Sequence, residues 1–447
     1  MTIFSRLAFS LLGLIAACHA HGADLLEIYR RAESVEPKLA AAVAGMDAAR
    51  YQRVQSGAAR LPQVALLAGT SWDVGRSHPD NVGTGHHNGG YALVLKQSLW
   101  SRSNALDYQR GQLGETAAHI AQARTRQELM LKVARAYFDI LLAQDTVRSS
   151  AVQYAAALDQ QRSAERSLRQ GTNTPVDTQE AEARRDLAQA RQVLAENLVE
   201  KCREALRRLL GEAPPPLARL GRDLAPQMPQ PADIARWAEA AETGNFDVLS
   251  AGIAVELASK AAGKAQAGYR PALDLIVAHG QFSQNGGLLF GVTVPENTVH
   301  QTSIGLQLTV PLYTGGATGA RIGETAAMLE QSRQGLIDAQ RGAAMQARQA
   351  YLDVASARAQ IAALTIALRS GDATLGASKL AFAAGTRVSS DVLNAEQQVA
   401  ATALQLAQAR YDLLLGQLNL KAVTGSLDMS DLQAVNAYLV DNDAPLR

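Results

Sequence analysis

From 303 to 312 the chain alternates strictly, with Ile304, Leu306, Leu308 and Val310 set against Ser303, Gly305, Gln307 and Thr309. A period of two describes a strand with one apolar and one polar face. Segments at 63–72, 91–99 and 272–282 have the same length and character. About ten residues is what a tilted strand needs to cross the hydrocarbon of a bilayer. Pro62 and Pro271 open the first strand of each pair, where no ladder N–H is required. The intervening stretches, 74–90 and 284–301, are rich in Gly, Asn and His and read as surface connections.

Elsewhere the period is seven. Val133, Ile140, Val147 and Tyr154 form one series, and Val354, Ile361, Leu368, Leu375 and Phe382 a second. Val392, Val399, Leu406, Leu413 and Leu420 form a third. Heptads impose a left-handed supercoil on packed helices. Small residues (Ala136, Ala143, Ser150, Ala157) lie between the large ones and allow close approach. A further series, Leu404, Tyr411 and Leu418, gives the last helix a second buried face and so a neighbour on each side. Proline is absent from 103–169 and from 320–384. At about 1.5 Å per residue, each is a rod on the order of 100 Å long. Gly171 and Gly385 supply the left-handed caps that end these rods. Thr174, Ser389 or Ser390 can cap the returning helices, with Pro175 in a first turn. Shorter helices are predicted at 25–55, 233–242 and 247–267, and a short amphipathic one at 431–440.

The order repeats. Gly171-Thr172-Asn173-Thr174-Pro175-Val176-Asp177 returns 214 residues later as Gly385-Thr386-Arg387-Val388-Ser389-Ser390-Asp391. Tyr137-Phe138-Asp139 returns as Tyr351-Leu352-Asp353, and Gly211 as Gly425. Solenoid periods run about 20–50 residues, so this is a duplicated half. The predicted organisation is a signal peptide at 1–20 and a first repeat at 21–210, with a helical hairpin over 103–210 and its tip at 171–175. A Pro-rich linker follows at 211–231. The second repeat spans 232–425, with a hairpin over 316–424 and its tip at 385–389, and a tail occupies 426–447.

Low aromatic content (5%) and abundant alanine favour closely packed helices over a thick globular core, and a net charge of +1 excludes a nucleic-acid partner. Arg6, the apolar run 7–17 and Cys18-His19-Ala20 describe an export signal. An alternative reading of Ile15-Ala16-Ala17-Cys18 is a lipoprotein box with Cys18 acylated. Beyond the signal there is no apolar run of transmembrane-helix length, so any span must be made of strands. Four strands cannot close a membrane barrel, which needs about eight or more. Two chains would contribute 8 and three would contribute 12, unless the strands form a soluble sheet.

Candidate chemistry is sparse. Gly263-Lys264 lacks the glycine spacing and the Ser/Thr of a phosphate loop. His78, His86 and His87 share a polar loop and read as loop residues before a metal site. Cys202 reads as a small buried residue. No cofactor, metal site or catalytic residue is expected.

The stretch Gly385-Thr386-Arg387, Asp391-Val392-Leu393-Asn394-Ala395, Ala409-Arg410-Tyr411, Gln417-Leu418-Asn419-Leu420-Lys421 and Gly425-Ser426-Leu427 resembles the TolC family of outer-membrane efflux and type I secretion channels. Val310-Pro311-Leu312-Tyr313-Thr314-Gly315-Gly316 resembles that family's strand-to-helix junction. The resemblance implies a mainly α protein with a membrane β-barrel contribution. Each chain would give four β-strands to a 12-stranded barrel shared by a homotrimer in outer-membrane lipid, and long coiled-coil hairpins would form a periplasmic tunnel. It implies a periplasmic adaptor (membrane fusion) protein and an inner-membrane ABC exporter or proton-driven pump as partners. Asp177 and Arg387 match the family's entrance latch, and Phe382 stands where the TolC branch has a tyrosine. Asp391 matches an acidic pore ring whose next member here is Asn394. The hairpin tips, Gly171, Thr172, Asn173, Thr174, Gly385, Thr386, Val388 and Ser389, would receive the adaptor. The competing readings are a periplasmic coiled-coil scaffold or adaptor without a pore, which leaves the bilayer-length strands without a use, and an exported enzyme with a helical stalk, which lacks a candidate site.

Overall fold

The computed structural model describes residues 22–77, 82–172, 174–221, 228–284, 287–289, 292–294 and 297–440. The predicted signal, Cys18, His78 and Asn173 lie outside the described residues. Among the described residues the elements run α1 (Leu25–Val35), α2 (Pro37–Ala58), β1 (Gln63–Ser77), β2 (Val82–Ser101), α3 (Arg102–Arg169), α4 (Pro175–Leu210) and β3 (Arg219–Leu220). The second half follows with α5 (Ile234–Gly244), α6 (Phe246–Ala267), β4 (Ala272–Gln284), β5 (Gly287–Leu289), β6 (Val292–Val294), β7 (Asn297–Thr309), α7 (Ala317–Ala383) and α8 (Ser389–Val423). The chain closes with α9 (Met429–Asn436) and β8 (Leu439–Val440). The duplication extends to element lengths. α1 and α5 have 11 residues each, α2 and α6 have 22, and α3 and α7 have 68 and 67. No helix of the described residues is long and apolar enough to cross a membrane.

Packing divides the chain differently from the repeat. One compact unit comprises 43–121 and 249–338; the other comprises 22–42, 122–248 and 339–440. Each draws on both halves, because equivalent pieces of the two repeats pack together.

In the first unit β1, β2, β4 and β7 form an antiparallel sheet in that order. The strands are 15, 20, 13 and 13 residues long, beyond the ten expected. Much of 74–90, read as a connection, is strand, with pairing continuing through Gly75↔Thr84 to Ser77↔Val82. Ladder bonds are made by the backbone, so polar and glycine residues sustain them where no apolar face is needed. β7 ends at Thr309, short of the predicted 312, because Pro311 has no N–H to pair. In the same unit α2 lies close to α3 at Gly111, where an added Cβ would collide with the Ser56 side chain. Lys264 Nζ of α6 pairs with Asp107 Oδ2 of α3 at 2.7 Å.

The second unit has its core where α1, α3, the ends of α4 and α8, and α9 meet. Tyr137 and Phe138 meet edge-on, and Phe138 stacks on Tyr411 with centroids 5.5 Å apart. Both phenols are buried, which pushes their pKa up, so each hydroxyl stays protonated and needs an acceptor. Tyr137 donates toward the carbonyls of Ala23 (3.1 Å) and Ala218 (2.8 Å), and Tyr411 donates to Asp145 Oδ2 at 2.8 Å. Asn436 closes the chain on itself, accepting from the backbone N–H of Leu25 (3.0 Å) and donating to Asp24 Oδ2 (2.9 Å). The predicted tail helix 431–440 is shorter and shifted, since residues 439–440 pair instead with β3.

Along the α7–α8 hairpin the large heptad residues meet glycine. A Cβ on Gly416 would lie 3.1 Å from Val354 Cγ2, and one on Gly371 would lie 3.2 Å from Val399 Cγ2. These are knobs against holes that only glycine leaves open. Gly416→Leu is expected to lower stability by about 1–3 kcal/mol through overpacking. Gly376→Ala, where an added Cβ meets nothing, should raise stability by up to about 1 kcal/mol through helix propensity. Thermal unfolding of the purified protein reads both.

Candidate functional site at the hairpin tips

The two tips are built by one rule. Gly171 (φ 75°) and Gly385 (φ 73°) adopt the left-handed conformation that ends a helix. Thr172 N–H then donates to Ser167 O at 3.0 Å, and Thr386 N–H to Ala381 O at 2.9 Å. The threonine hydroxyls donate to the same two carbonyls, at 3.1 and 3.0 Å. Thr172 and Thr386 therefore satisfy carbonyls that the helix ends leave open.

The returning helices then differ. Thr174 caps α4, its hydroxyl accepting from Asp177 N–H at 3.3 Å. Asp177 Oδ2 accepts in return from the N–H (3.0 Å) and hydroxyl (2.7 Å) of Thr174. This capping box holds the Asp177 carboxyl below the usual carboxylate range, first through the Thr174 hydroxyl and then through its N–H. In α8 the cap residue is Val388, without a side-chain hydrogen bond, in place of the serines expected to cap it. Ser389 starts the helix. Asp391 occupies the position equivalent to Asp177, and Val388 offers it no hydroxyl.

Among the described residues, Asp177 and Arg387 do not pair within one chain. Arg387 Nη1 donates to Ser378 Oγ at 3.1 Å. Ser378 is only 2% exposed and was not singled out from sequence. The sequence offered little signal, since the heptad series Ala350, Ala357, Leu364, Gly371 and Ser378 in α7 is broken by a large residue. Lys379 Nζ pairs with Glu396 Oε1 at 2.8 Å and joins α7 to α8 nearby. Phe382 is 47% exposed, Val388 and Asn394 are exposed, and Asp391 is half-buried.

A profile for outer membrane efflux proteins matches residues 28–212 and 237–426. The chain belongs to this family. It is 31% identical to the alkaline protease secretion protein AprF of Pseudomonas aeruginosa, over 96% of this chain and 90% of the relative. It is 28% identical to the outer membrane protein TolC of Escherichia coli, over 93% and 85%, and 25% identical to the proteases secretion protein PrtF of Dickeya chrysanthemi, over 94% and 92%. Its fold matches solved CusC with a TM-score of 0.76 at 19% identity, covering 90% of this chain and 92% of that one. The match to VceC of Vibrio cholerae has a TM-score of 0.74 at 18% identity, covering 90% and 96%. Members of the family are outer-membrane channels with a helical part in the periplasm, and they are not an enzyme family. The scaffold without a pore is not supported.

The capping box predicts a pH response. Because the folded-state pKa of Asp177 is lowered, its stabilisation is present above the ordinary aspartate range and disappears as pH falls through the lowered value. Amide protection in the first turn of α4, taken relative to the intrinsic exchange rate at each pH, is therefore expected to fall on acidification. Asp177→Asn should remove that pH dependence, and Thr174→Ala should weaken the cap at neutral pH by about 1 kcal/mol.

Proposed function

We propose that three copies of this chain close one 12-stranded barrel and one helical tunnel, forming the exit duct of a tripartite type I protein secretion or multidrug efflux system. The observation that carries this reading is the sheet. One face carries Val64 and Leu66 on β1, Leu93 and Leu95 on β2, Leu273, Leu275 and Val277 on β4, and Ile304, Leu306 and Leu308 on β7. The β7 side chains are exposed, Ile304 to 75%. The other face is mixed, with Ser303, Gly305, Gln307 and the Lys96–Asp274 ion pair at 3.0 Å beside Leu67, Val94 and Ile276. Along β1 and β7 the sheet has edges that a neighbouring copy would pair.

Channels of this family act with adaptor and inner-membrane pump proteins, and the tips described above are the surfaces on which this chain would receive an adaptor. In the resting trimer Arg387 would reach Asp177 of a neighbouring copy. Both Thr174 bonds use Oδ2, which leaves Oδ1 for a guanidinium. Such an exposed pair is weak enough for docking to displace. Three Asp391 carboxylates would ring the pore, with Asn394 contributing none.

Planar-bilayer recording of the purified oligomer tests the proposal. Small, long-lived, cation-preferring steps are expected, and Arg387→Ala should enlarge them by loosening the closed end. Asn394→Asp should strengthen cation preference and block by divalent cations. A well-folded oligomer without conductance would overturn the duct, and unchanged currents in the variants would remove the latch and the ring respectively.

A further inference from the structure

The chain carries a one-residue bulge just before β2 passes into α3. Ser98 pairs with Asp274 and Trp100 with Leu273, so Leu99 is the extra residue. The bulge sets Trp100 in the row of Leu273 and Leu308, on the apolar face, where an unbroken register would have placed Leu99. Trp100 is 50% exposed. Beneath it lies a groove of about 770 Å³ between the end of α2 and the start of α3. Its apolar lining includes Leu61, Leu99 and Trp100, and its cations are Arg53, Arg60 and Arg102. None of the lining residues is acidic.

The arginines are held to different degrees. Arg53 Nε is paired with Glu115 at 3.1 Å. The Arg60 guanidinium lies over the Tyr108 ring, 5.2 Å from its centre, a contact with the face of the cation that leaves its edge N–H donors available. Gly57 makes room for that ring, since a Cβ there would stand 3.3 Å from Tyr108 Cδ2. Asn104 Nδ2 ties the two helices by donating to Ala59 O at 3.2 Å. Arg102 is exposed at the first turn of α3.

We propose that this groove binds the phosphodiester headgroup of an anionic glycerophospholipid, with an acyl chain running over Trp100 onto the apolar sheet face. Guanidinium edges match phosphate oxygens in geometry and charge, and a tryptophan between a wet groove and an apolar band suits the membrane interface. The proposal rests on the membrane-barrel reading of the sheet. The groove is continuous with the face that reading places in lipid.

Native mass spectrometry of the detergent-purified full chain, supplied with dioleoylphosphatidylglycerol, dioleoylphosphatidylcholine or inorganic phosphate, tests it. The wild-type protein is expected to retain phosphatidylglycerol about ten-fold better than phosphatidylcholine, as charge-assisted bonds to an anionic headgroup require. Arg60→Gln with Arg102→Gln should abolish that preference, while the double variant still inserts into bilayers and conducts. If the double variant fails to assemble, Arg102→Gln alone, outside the stack on Tyr108, should reduce the preference. A conducting wild-type protein without lipid preference, a variant that keeps it, or displacement of the lipid by inorganic phosphate would overturn the site and leave the channel intact. A wild-type protein that neither inserts nor conducts would overturn the reading on which the site rests.

Discussion

A peptide group left unpaired in hydrocarbon costs several kcal/mol, and no side chain on the same strand can compensate for it. In this chain β1 and β7 bound the four-stranded sheet, one at each edge. The exposed leucines and Ile304 of one face ask for lipid, while the backbone along the two edges forbids lipid until something pairs with it. Closure of the sheet by further copies, as proposed, would satisfy both.

The helical part meets a different constraint. Helices that must lie side by side over many turns, with neighbours on both flanks, cannot all carry large side chains at their seams. The chain alternates instead, setting Val354 against Gly416 and Val399 against Gly371. Where the rods converge on the core, the aromatic trio of Tyr137, Phe138 and Tyr411 takes over. Tyr137 there also fastens the segments at Ala23 and Ala218, so the same core that packs the rods anchors the start of the described chain.

Duplication followed by divergence explains why the tips are alike in shape and unlike in chemistry. Gly171 and Gly385, with Thr172 and Thr386, solve the same problem of ending a helix and keep the same bonds. Thr174 binds Asp177 in a capping box, whereas Val388 leaves Asp391 without that partner. One carboxylate is thus held in a cap while its copy lacks that cap. The substitution at the cap, rather than a change at the aspartate, makes the difference.

Much of the architecture was legible in the sequence because it rests on local rules. A period of two or seven follows from backbone geometry, glycine ends a helix through its own φ, and the repeat needs only comparison of the chain with itself. The tertiary structure decided what depends on distant partners or on backbone alone. Strand pairing past Thr70 is indifferent to side-chain type, so polar residues at 74–90 hid it. The bond from Leu25 to Asn436 spans 411 residues, and the pairing of β3 with β8 joins segments with no shared pattern. Asp177 read as half of an ion pair and proved first to be a cap, and Arg387 found Ser378, because hydrogen-bond choice is settled by which donors and acceptors the folded chain brings within about 3 Å. Periodicity determines which face a residue occupies, and only packing determines what that face meets.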